Sequence, residues 1–167
     1  MTTQTPAEHP WSASPAVAAW TRLLRAHAAA TRVLSAGLQA QHGVGLNDFE
    51  ALVLLAGAEE RRLRRVDLAR QLGLTPSGIT RLLDGLEEAG LVARAACPVD
   101  RRVVYAQLTD AGADLLAAAS RAHVGAIEAL LEEHLAPAEL EELAALLGKL
   151  PGVPDERCPA AGLELSG

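Results

Sequence analysis

Apolar residues recur with a helical period along most of the chain. From residue 15 to residue 41 the less polar positions lie at i, i+3, i+4 and i+7, the spacing of one face of an α-helix. This face carries Trp20, Leu23, Leu24, His27, Thr31, Leu34 and Leu38. The segment "HGVG" at 42–45 is expected to end the helix, and Asn47 or Asp48 to cap a second helix that runs to about residue 57.

The C-terminal part of the chain shows the same period twice. Thr109 or Asp110 is expected to start a helix over about 110–133, and Pro137 a last helix that runs to about residue 150. The inward residues of the first of these helices are expected to be Leu115, Leu116, Ala119, Val124, Ile127, Leu130 and Leu131. Those of the last helix are expected to be Leu140, Leu143, Leu146 and Leu147.

Between these regions, residues 66–92 predict two helices joined by a tight turn. Asp67 is a candidate cap for a short helix, and Gly73 is placed to stop it. Thr75 then has the chemistry of an N-cap, followed by Pro76 at the first helical position, where its missing N–H costs nothing. Such a pair of helices has the form of a helix–turn–helix.

The second helix of this pair has one apolar and one polar face. Its apolar face is expected to bury Ile79, Leu82, Leu83 and Leu86. Gly90 supplies a C-terminal stop. The opposite face presents short polar groups around an arginine, and its members are Ser77, Thr80, Arg81 and Asp84.

Two alternating or β-branched segments follow and predict a hairpin. They are "LVARA" at 91–95 and "RVVYAQL" at 102–108, with turn residues between them. The sequence therefore predicts a mainly α fold with a small β-hairpin. In this fold a winged helix–turn–helix is flanked by N-terminal and C-terminal helices.

The composition indicates the type of core, and the distribution of charge shows whether the chain could contact phosphate. Half of the 167 residues are apolar and only 2% are aromatic, so the predicted core consists of Leu, Ala and Val. The net charge is −6, but residues 61–108 carry nine arginines against five acids, a local excess of +4. A basic segment in an acidic chain can still meet phosphate, because charges interact within a Debye length of roughly 8–10 Å.

The central segment resembles the MarR family, the multiple antibiotic resistance regulators. The resemblance is carried by "SGITRLLDGLEEAGLVAR" at 77–94 and "DRRVVYAQLTDAG" at 100–112, and it extends over about residues 15–150. It implies a transcriptional regulator, expected to be a repressor, that binds a pseudo-palindromic duplex DNA operator as a homodimer. Neither enzymatic activity nor a cofactor is expected.

The resemblance also implies roles for individual residues. Asp100 and Arg102 match the family's Asp-x-Arg wing motif, in which the arginine enters the minor groove and the aspartate orients it. Ser77, Thr80 and Arg81 match positions of the recognition helix that face the major groove.

Elementary chemistry supports these roles separately. A guanidinium suits the negative potential of a narrow minor groove, and an arginine can read guanine bidentately in the major groove. The start of the recognition helix offers N–H groups to a phosphate. The complete set of predicted DNA-binding residues is Thr75, Pro76, Ser77, Thr80, Arg81, Arg94, Asp100, Arg101 and Arg102.

Simpler interpretations of the two central arginines remain open. Arg81 would pair with Asp84 or Glu88 on a solvated helix face, and Arg102 with Asp100 in a turn. The wing also departs from the family pattern, since "RAACPV" holds a single arginine where many members are richly charged. Fewer phosphate contacts imply a weaker salt-dependent component of binding.

The flanking helices carry more apolar surface than one small winged domain would cover, and a second copy would bury it. A two-fold dimer implies operator half-sites about one helical turn apart. The predicted organisation is a flexible N-terminus over 1–14, a dimerisation region over 15–45 and 110–150, a DNA-binding region over 46–109 and a flexible C-terminal tail over 151–167.

The resemblance further implies a small aromatic or anionic effector, bound between the dimer helices and the winged domain. Trp20, Arg25 and His27 are the candidate ligand-binding residues, because Trp20 and His27 lie seven apart on one helix face with a cation close by. The residues alone favour the other interpretation, in which Trp20 belongs to the core and His27 is an interior or interface histidine.

The remaining chemistry is sparse. Cys97 and Cys158 are far apart and fit neither a disulfide framework nor a zinc site, and a redox role for Cys97 beside arginines lacks a resolving partner. The histidines show no metal-ligand pattern.

Without a signal peptide or a span of about 20 apolar residues, the chain is expected to be cytoplasmic and not to bind membranes. The competing hypothesis is a helical dimer that binds a small molecule or protein without sequence-specific DNA binding.

Overall fold

The structure, a computed structural model, describes residues 14–96 and 104–151. The α-helices of these residues are α1 (Pro15–His42), α2 (Leu46–Ala56), α3 (Arg65–Gln71), α4 (Pro76–Glu88), α5 (Asp110–Glu132) and α6 (Pro137–Leu147), and a short 3-10 helix covers Glu59–Arg61. The strands are β1 (Arg62–Arg64), β2 (Val92–Ala96) and β3 (Val104–Leu108). The chain divides into two compact units, Met1–Val33 and Leu34–Gly167.

Apart from Ser14, the described residues of the first unit belong to α1, which confirms the long N-terminal helix. Inside it, the Thr21 hydroxyl donates to the carbonyl oxygen of Val17, at 2.9 Å. Several large apolar side chains of this unit face solvent, and Trp20 is 58% exposed in the single chain. The interpretation of Trp20 as a core residue is therefore wrong for one copy of the chain.

The core of the second unit is centred on α2, which packs against α4, α5 and β3. Leu52 and Leu55 of α2 are completely buried, as is Leu68 of α3. Ile79 of α4 and Leu116 of α5 are 1% exposed. The core is therefore largely aliphatic, as the composition predicts, and burial of each of these side chains stabilises it by roughly 1.5–3 kcal/mol.

Helix α2 begins earlier than predicted. Gly45 is its N-cap and Leu46 its first residue, so neither Asn47 nor Asp48 is the cap. The Asp48 carboxylate instead accepts from the Gly45 N–H at 2.9 Å, and the Ser35 hydroxyl oxygen accepts from the Leu46 N–H at 3.2 Å. These two bonds satisfy free N–H groups of the first turn, because a glycine cap has no side chain to do so.

The β-structure is a three-stranded antiparallel sheet in the order β1–β3–β2. The predicted hairpin is confirmed, with Val92 opposite Leu108 and Arg94 opposite Ala106. The third strand, β1, was not predicted. Its middle residue, Leu63, pairs with Ala106, so that β3 has a partner on each edge.

The C-terminal helices are confirmed, but part of their predicted inward face is exposed. Thr109, one of the two residues predicted to start α5, is its N-cap. Leu116 and Ala119 are buried, whereas Val124 is 47% and Leu131 36% exposed. On α6, which ends at Leu147 rather than near residue 150, Leu143 and Leu146 are also exposed. The apolar pattern of these helices continues beyond the part that one chain buries.

One polar residue of α5 lies against the core. The rings of His123 and Phe49 are 4.7 Å apart between centroids and tilted by 56°. Burial in this contact lowers the pKa of His123 below its ordinary value, because desolvation disfavours the charged imidazolium. Across residues 14–96 and 104–151, none of the helices combines the length and the apolarity that crossing a membrane requires.

Candidate nucleic-acid interface

The helix–turn–helix is formed by α3 and α4. Gly73 follows the end of α3 with φ of +64°, a left-handed conformation that glycine adopts without strain, and it stops the helix as predicted. The predicted cap of α3 is wrong, since Arg64 occupies the N-cap position. The Asp67 carboxylate lies in the first turn and binds Arg64 at 2.5 Å and Arg70 at 3.3 Å. The bond to Asp67 raises the pKa of the Arg64 guanidinium.

The first turn of α4 has the predicted geometry. Thr75 is the N-cap, its hydroxyl oxygen accepts from the Gly78 N–H at 3.1 Å, and Pro76 is the first helical residue. The Thr80 hydroxyl donates to the carbonyl oxygen of Pro76 at 2.8 Å. Ser77 shares a hydrogen bond with the Thr75 hydroxyl at 3.2 Å. The turn is thus ordered by the chain itself, with its N-terminal end exposed.

The two faces of α4 are separated as predicted. Ile79, Leu83 and Leu86 are buried, and Leu82 is half-buried against the core. Arg81 lies on the exposed face and, among the residues that the structure describes, has no ion-pair partner. The simpler interpretation, in which Arg81 pairs with Asp84 or Glu88, is therefore not what the structure contains.

Asp84 is instead bound by Arg94 of β2. The Arg94 Nη2 atom lies 2.6 Å from Asp84 Oδ1, and its Nε atom lies 2.6 Å from Glu87 Oε1. The hydrogen bond to Glu87 raises the pKa of the Arg94 guanidinium, and Asp84 adds to the effect. We call these three residues the carboxylate clamp. It joins the base of the wing to the second half of the recognition helix.

Among the described residues of the winged region, four other arginines are also paired and Arg65 is not. Arg61 lies 3.5 Å from Asp110, and Arg62 pairs with Glu60 while its guanidinium lies 5.1 Å from the Tyr105 ring centroid. These contacts join residues that are distant in sequence or lie in irregular segments, so residue spacing does not reveal them. The local excess of +4 is therefore less available to a ligand than the sequence suggests.

The tip of the wing lies outside the described residues. This applies to Asp100, Arg101 and Arg102 of the predicted DNA-binding set, and to Cys97. The described part of the wing ends at Ala96 on β2 and resumes at Val104 on β3.

The wing and the recognition helix are held to α5 by Thr109. Its hydroxyl donates to the carbonyl oxygen of Gly90 at 2.8 Å and accepts from the Gly112 N–H at 3.0 Å. The backbone N–H of Thr109 donates to the Leu91 carbonyl oxygen at 3.1 Å. One residue thereby connects the end of α4, the end of β3 and the start of α5.

The candidate effector residues lie on α1, in the first unit. Trp20, Arg25 and His27 are all exposed in the single chain. Their role in ligand binding stays a prediction. Within the described part of the chain, no group of three or more His, Cys, Asp or Glu side chains is placed to hold a metal ion.

The fold and the exposed face of α4 define a winged helix–turn–helix protein. The sequence profile of the MarR family matches residues 42–103. The chain is 33% identical to AbsC, a MarR family transcriptional regulator from Streptomyces coelicolor, with a TM-score of 0.69 over 78% of this chain and 87% of AbsC. The chain belongs to the MarR family of transcriptional regulators.

Two other relatives support this assignment. Sco3205, a MarR family transcriptional regulator from Streptomyces coelicolor solved in complex with DNA, is 30% identical, with a TM-score of 0.71 over 78% of this chain and 84% of that one. The HTH-type transcriptional repressor YetL of Bacillus subtilis (strain 168) is 32% identical over 111 residues. That match spans 66% of this chain and 66% of YetL.

Proposed function

We propose that this chain is a transcriptional repressor that binds a pseudo-palindromic duplex DNA operator as a homodimer. In this proposal α4 lies in the major groove and Arg102 of the wing in the minor groove. The observation that carries the proposal is the outer face of α4. There Arg81 is exposed and has no ion-pair partner among the described residues, although acidic side chains stand three and seven residues further along the chain.

The chemistry of this face suits DNA. An uncommitted guanidinium can donate two parallel hydrogen bonds to the O6 and N7 atoms of a guanine, which discriminates between bases by about 1–3 kcal/mol. The Ser77 N–H in the first turn of α4 has no hydrogen-bond partner among the described residues and suits a phosphate oxygen, since Pro76 lacks an N–H and the Gly78 N–H is bound by Thr75. The DNA complex of Sco3205 and the repressor name of YetL support the same assignment.

Dimerisation is supported by the exposed apolar side chains of the C-terminal helices. Val124 and Leu131 of α5 and Leu143 and Leu146 of α6 are at least 36% exposed in the single chain. Leaving such a surface in water is unfavourable by roughly 25 cal/mol per Å² of apolar area, and a second copy of the chain would cover it. A two-fold dimer would place its two recognition helices about one turn of DNA apart.

The test is selection of genomic DNA fragments by the purified full-length protein. We expect recovery of a pseudo-palindromic sequence, and weaker binding of it by Arg81→Ala and by Arg102→Ala, each by about 1–3 kcal/mol. Arg70→Ala is the matched control, because it removes another exposed arginine of the same region, one that is paired with Asp67. Fluorescence anisotropy with a labelled duplex gives the affinities.

Wild-type affinity in both variants would contradict the assignment. A competing function, a helical dimer that binds a small molecule or a protein without sequence-specific DNA binding, is favoured by the pairing of Arg61, Arg62, Arg64, Arg70 and Arg94 with acids. It predicts that the protein retains no particular sequence even at low salt.

We further propose that a small aromatic or anionic effector releases the protein from its operator in the cytoplasm. The exposure of Trp20, Arg25 and His27 on α1 supports the proposal, because an aromatic ring, a guanidinium and an imidazole of one helix are accessible to a ligand. Repeating the fragment selection with a panel of aromatic carboxylic acids tests the idea. Release by one of them, lost in Trp20→Ala, is the expected result, and retention under every acid would contradict it.

A further inference from the structure

Asp84 pairs with Arg94 of the wing and not with Arg81 of its own helix. Asp84 follows Arg81 by three residues on α4, and oppositely charged side chains at this spacing normally attract each other on a helix surface. In the structure, however, Asp84 lies 2.6 Å from Arg94. Arg94 comes from a different element, the strand β2 at the base of the wing.

The geometry explains why Arg94 prevails over Arg81. Its planar guanidinium donates at the same time to Asp84 and to Glu87, both at 2.6 Å, so two carboxylates share one cation. Charge-assisted bonds in a fixed fork are stronger than the single contact that Arg81 would offer to Asp84 on its own. With Asp84 bound in the carboxylate clamp, the guanidinium of Arg81 on the exposed face of the helix has no ion-pair partner among the residues that the structure describes.

We propose that Arg94 is a positioning residue for DNA recognition, which acts through Asp84 to keep Arg81 available to a base. The proposal rests on the DNA-binding function proposed above. Arg94, one of the predicted DNA-binding residues, would then act through Asp84 rather than by touching DNA.

The clamp has a second effect on the same face. Duplex DNA carries one negative charge per roughly 1.7 Å of its axis, so an uncompensated carboxylate on the recognition helix would be repelled. Arg94 offsets one of the two negative charges of Asp84 and Glu87, and the Asp84 side chain is 55% exposed. Loss of Arg94 would therefore free two negative charges and allow one of them to capture Arg81.

The first test needs no DNA. Side-chain N–H signals of arginine are recorded by NMR on the full-length protein, and the Arg81 signal is assigned by its absence in Arg81→Ala. In the wild-type protein we expect the Arg81 protons to exchange rapidly with water. In Arg94→Ala they should become protected, because Asp84 is then free to accept from them, and in Arg94→Ala with Asp84→Asn the protection should disappear.

The second test measures affinity for the duplex recovered by fragment selection. We expect Arg94→Ala to weaken binding about threefold to fivefold, because an exposed ion pair between Asp84 and Arg81 competes only weakly with a base, and Asp84→Asn alone to change it by less than about twofold. Adding Asp84→Asn to Arg94→Ala should restore binding to within about twofold of wild type. Arg81→Ala should reduce the affinity for the duplex less in the Arg94→Ala background than in the wild type, since Arg81 already pairs with Asp84 there.

A direct phosphate contact by Arg94 predicts a different pattern. Asp84→Asn would then strengthen binding equally with and without Arg94, and Arg81→Ala would cost the same in both backgrounds. That result, or an Arg81 NMR signal that Arg94→Ala leaves unchanged, would overturn the proposal. Arg70→Ala controls for the loss of one positive charge.

Two further results have a defined interpretation, namely a variant that does not fold and a protein that selects no duplex. If Arg94→Ala does not fold, judged by thermal unfolding, Arg94→Gln removes the charge while keeping most of the side chain, and the same pattern is expected. If the protein selects no duplex, the proposed DNA-binding function fails. The NMR signals of Arg81 then still decide whether Arg94 controls its partner.

Discussion

Gly112 lies where the start of α5 meets the end of the recognition helix. A Cβ atom at this position would collide with the carbonyl oxygen of Leu91 and lie 2.7 Å from Cδ1 of Leu108. Leu91 is fixed in turn, since its carbonyl oxygen accepts from the Thr109 N–H. The glycine of the "LTDAG" segment is therefore required by close packing.

This close approach gives a prediction for Gly112→Ala. The added methyl group has no space, so we expect a loss of about 1–3 kcal/mol or more in the free energy of unfolding. Gly85→Ala is the control, because a Cβ at Gly85, inside α4, meets nothing within 4 Å. That change should stabilise the protein by up to about 1 kcal/mol, since alanine favours helix over glycine. Urea unfolding measures both, and equal effects would contradict the packing argument.

His123 gives a prediction about pH. Because contact with Phe49 lowers its pKa in the folded protein, the unfolded chain binds a proton more readily as the pH falls below about 6.5. The stability contributed by the neutral ring is thus present above that pH and is lost as the pH falls through the lower, folded value. We expect the thermal midpoint to fall less between pH 7.5 and pH 5.5 in His123→Gln than in the wild type. An equal fall would show that His123 does not contribute.

At the scale of single residues, the sequence predicted the helix starts at Thr75 and Thr109 but misplaced those near Asp48 and Asp67. Thr75 and Thr109 cap with their own side chains, and each precedes a helix whose period is clear. At the other two starts the cap is a glycine or an arginine, and the aspartate acts from the first turn of the helix. An aspartate is favoured both at the N-cap and in the first turn of a helix, so residue type alone does not distinguish these two positions.

Among the elements, the junction of α4, β3 and α5 depends on the Thr109 hydroxyl. Thr109→Ala removes both the cap of α5 and the donor to the Gly90 carbonyl oxygen, so we expect a loss of about 1–2 kcal/mol. Thr109→Ser keeps the hydroxyl and should retain most of that stability. Chemical denaturation of the two variants provides the comparison, and similar losses in both would assign the effect to the missing methyl group.

The elements that the sequence predicted are those with a clear period or strong turn residues. Strand β1 was missed because it is only three residues long, Arg62–Arg64, and one apolar residue between two arginines shows no recognisable alternation. Its pairing with β3 is a long-range contact. The clamp between β2 and α4 was missed for a similar reason, since Arg94 lies ten residues from Asp84 and no helical or strand period connects them.

For the whole molecule, the exposed apolar side chains of α5 and α6 predict self-association. Val124→Glu places a charge on this surface, and we expect it to shift the protein from dimer to monomer in light scattering coupled to size-exclusion chromatography. Val66→Glu is the control, because Val66 is 61% exposed on α3, outside these helices. If Val124→Glu left the mass unchanged, the dimer interface would lie elsewhere.

The charge distribution of the whole molecule also differs from what the sequence suggests. Counting arginines between residues 61 and 108 indicates a basic surface, yet the described acids pair with five of them. The number of cations that reach a ligand depends on these pairs, which only the fold reveals. Binding to DNA with few free cations would be less sensitive to salt.

The carboxylate clamp bears on how the specificity of such a protein can be redesigned. Exchanging the recognition helix alone is the simplest way to change specificity. In this chain, however, two carboxylates of α4, Asp84 and Glu87, have their ion-pair partner on β2, Arg94. A transplanted α4 would bring this acidity into a host that lacks the matching arginine. The portable unit is therefore the segment from Thr75 to Arg94, and a library that varies the exposed face of the helix should keep Asp84, Glu87 and Arg94 constant.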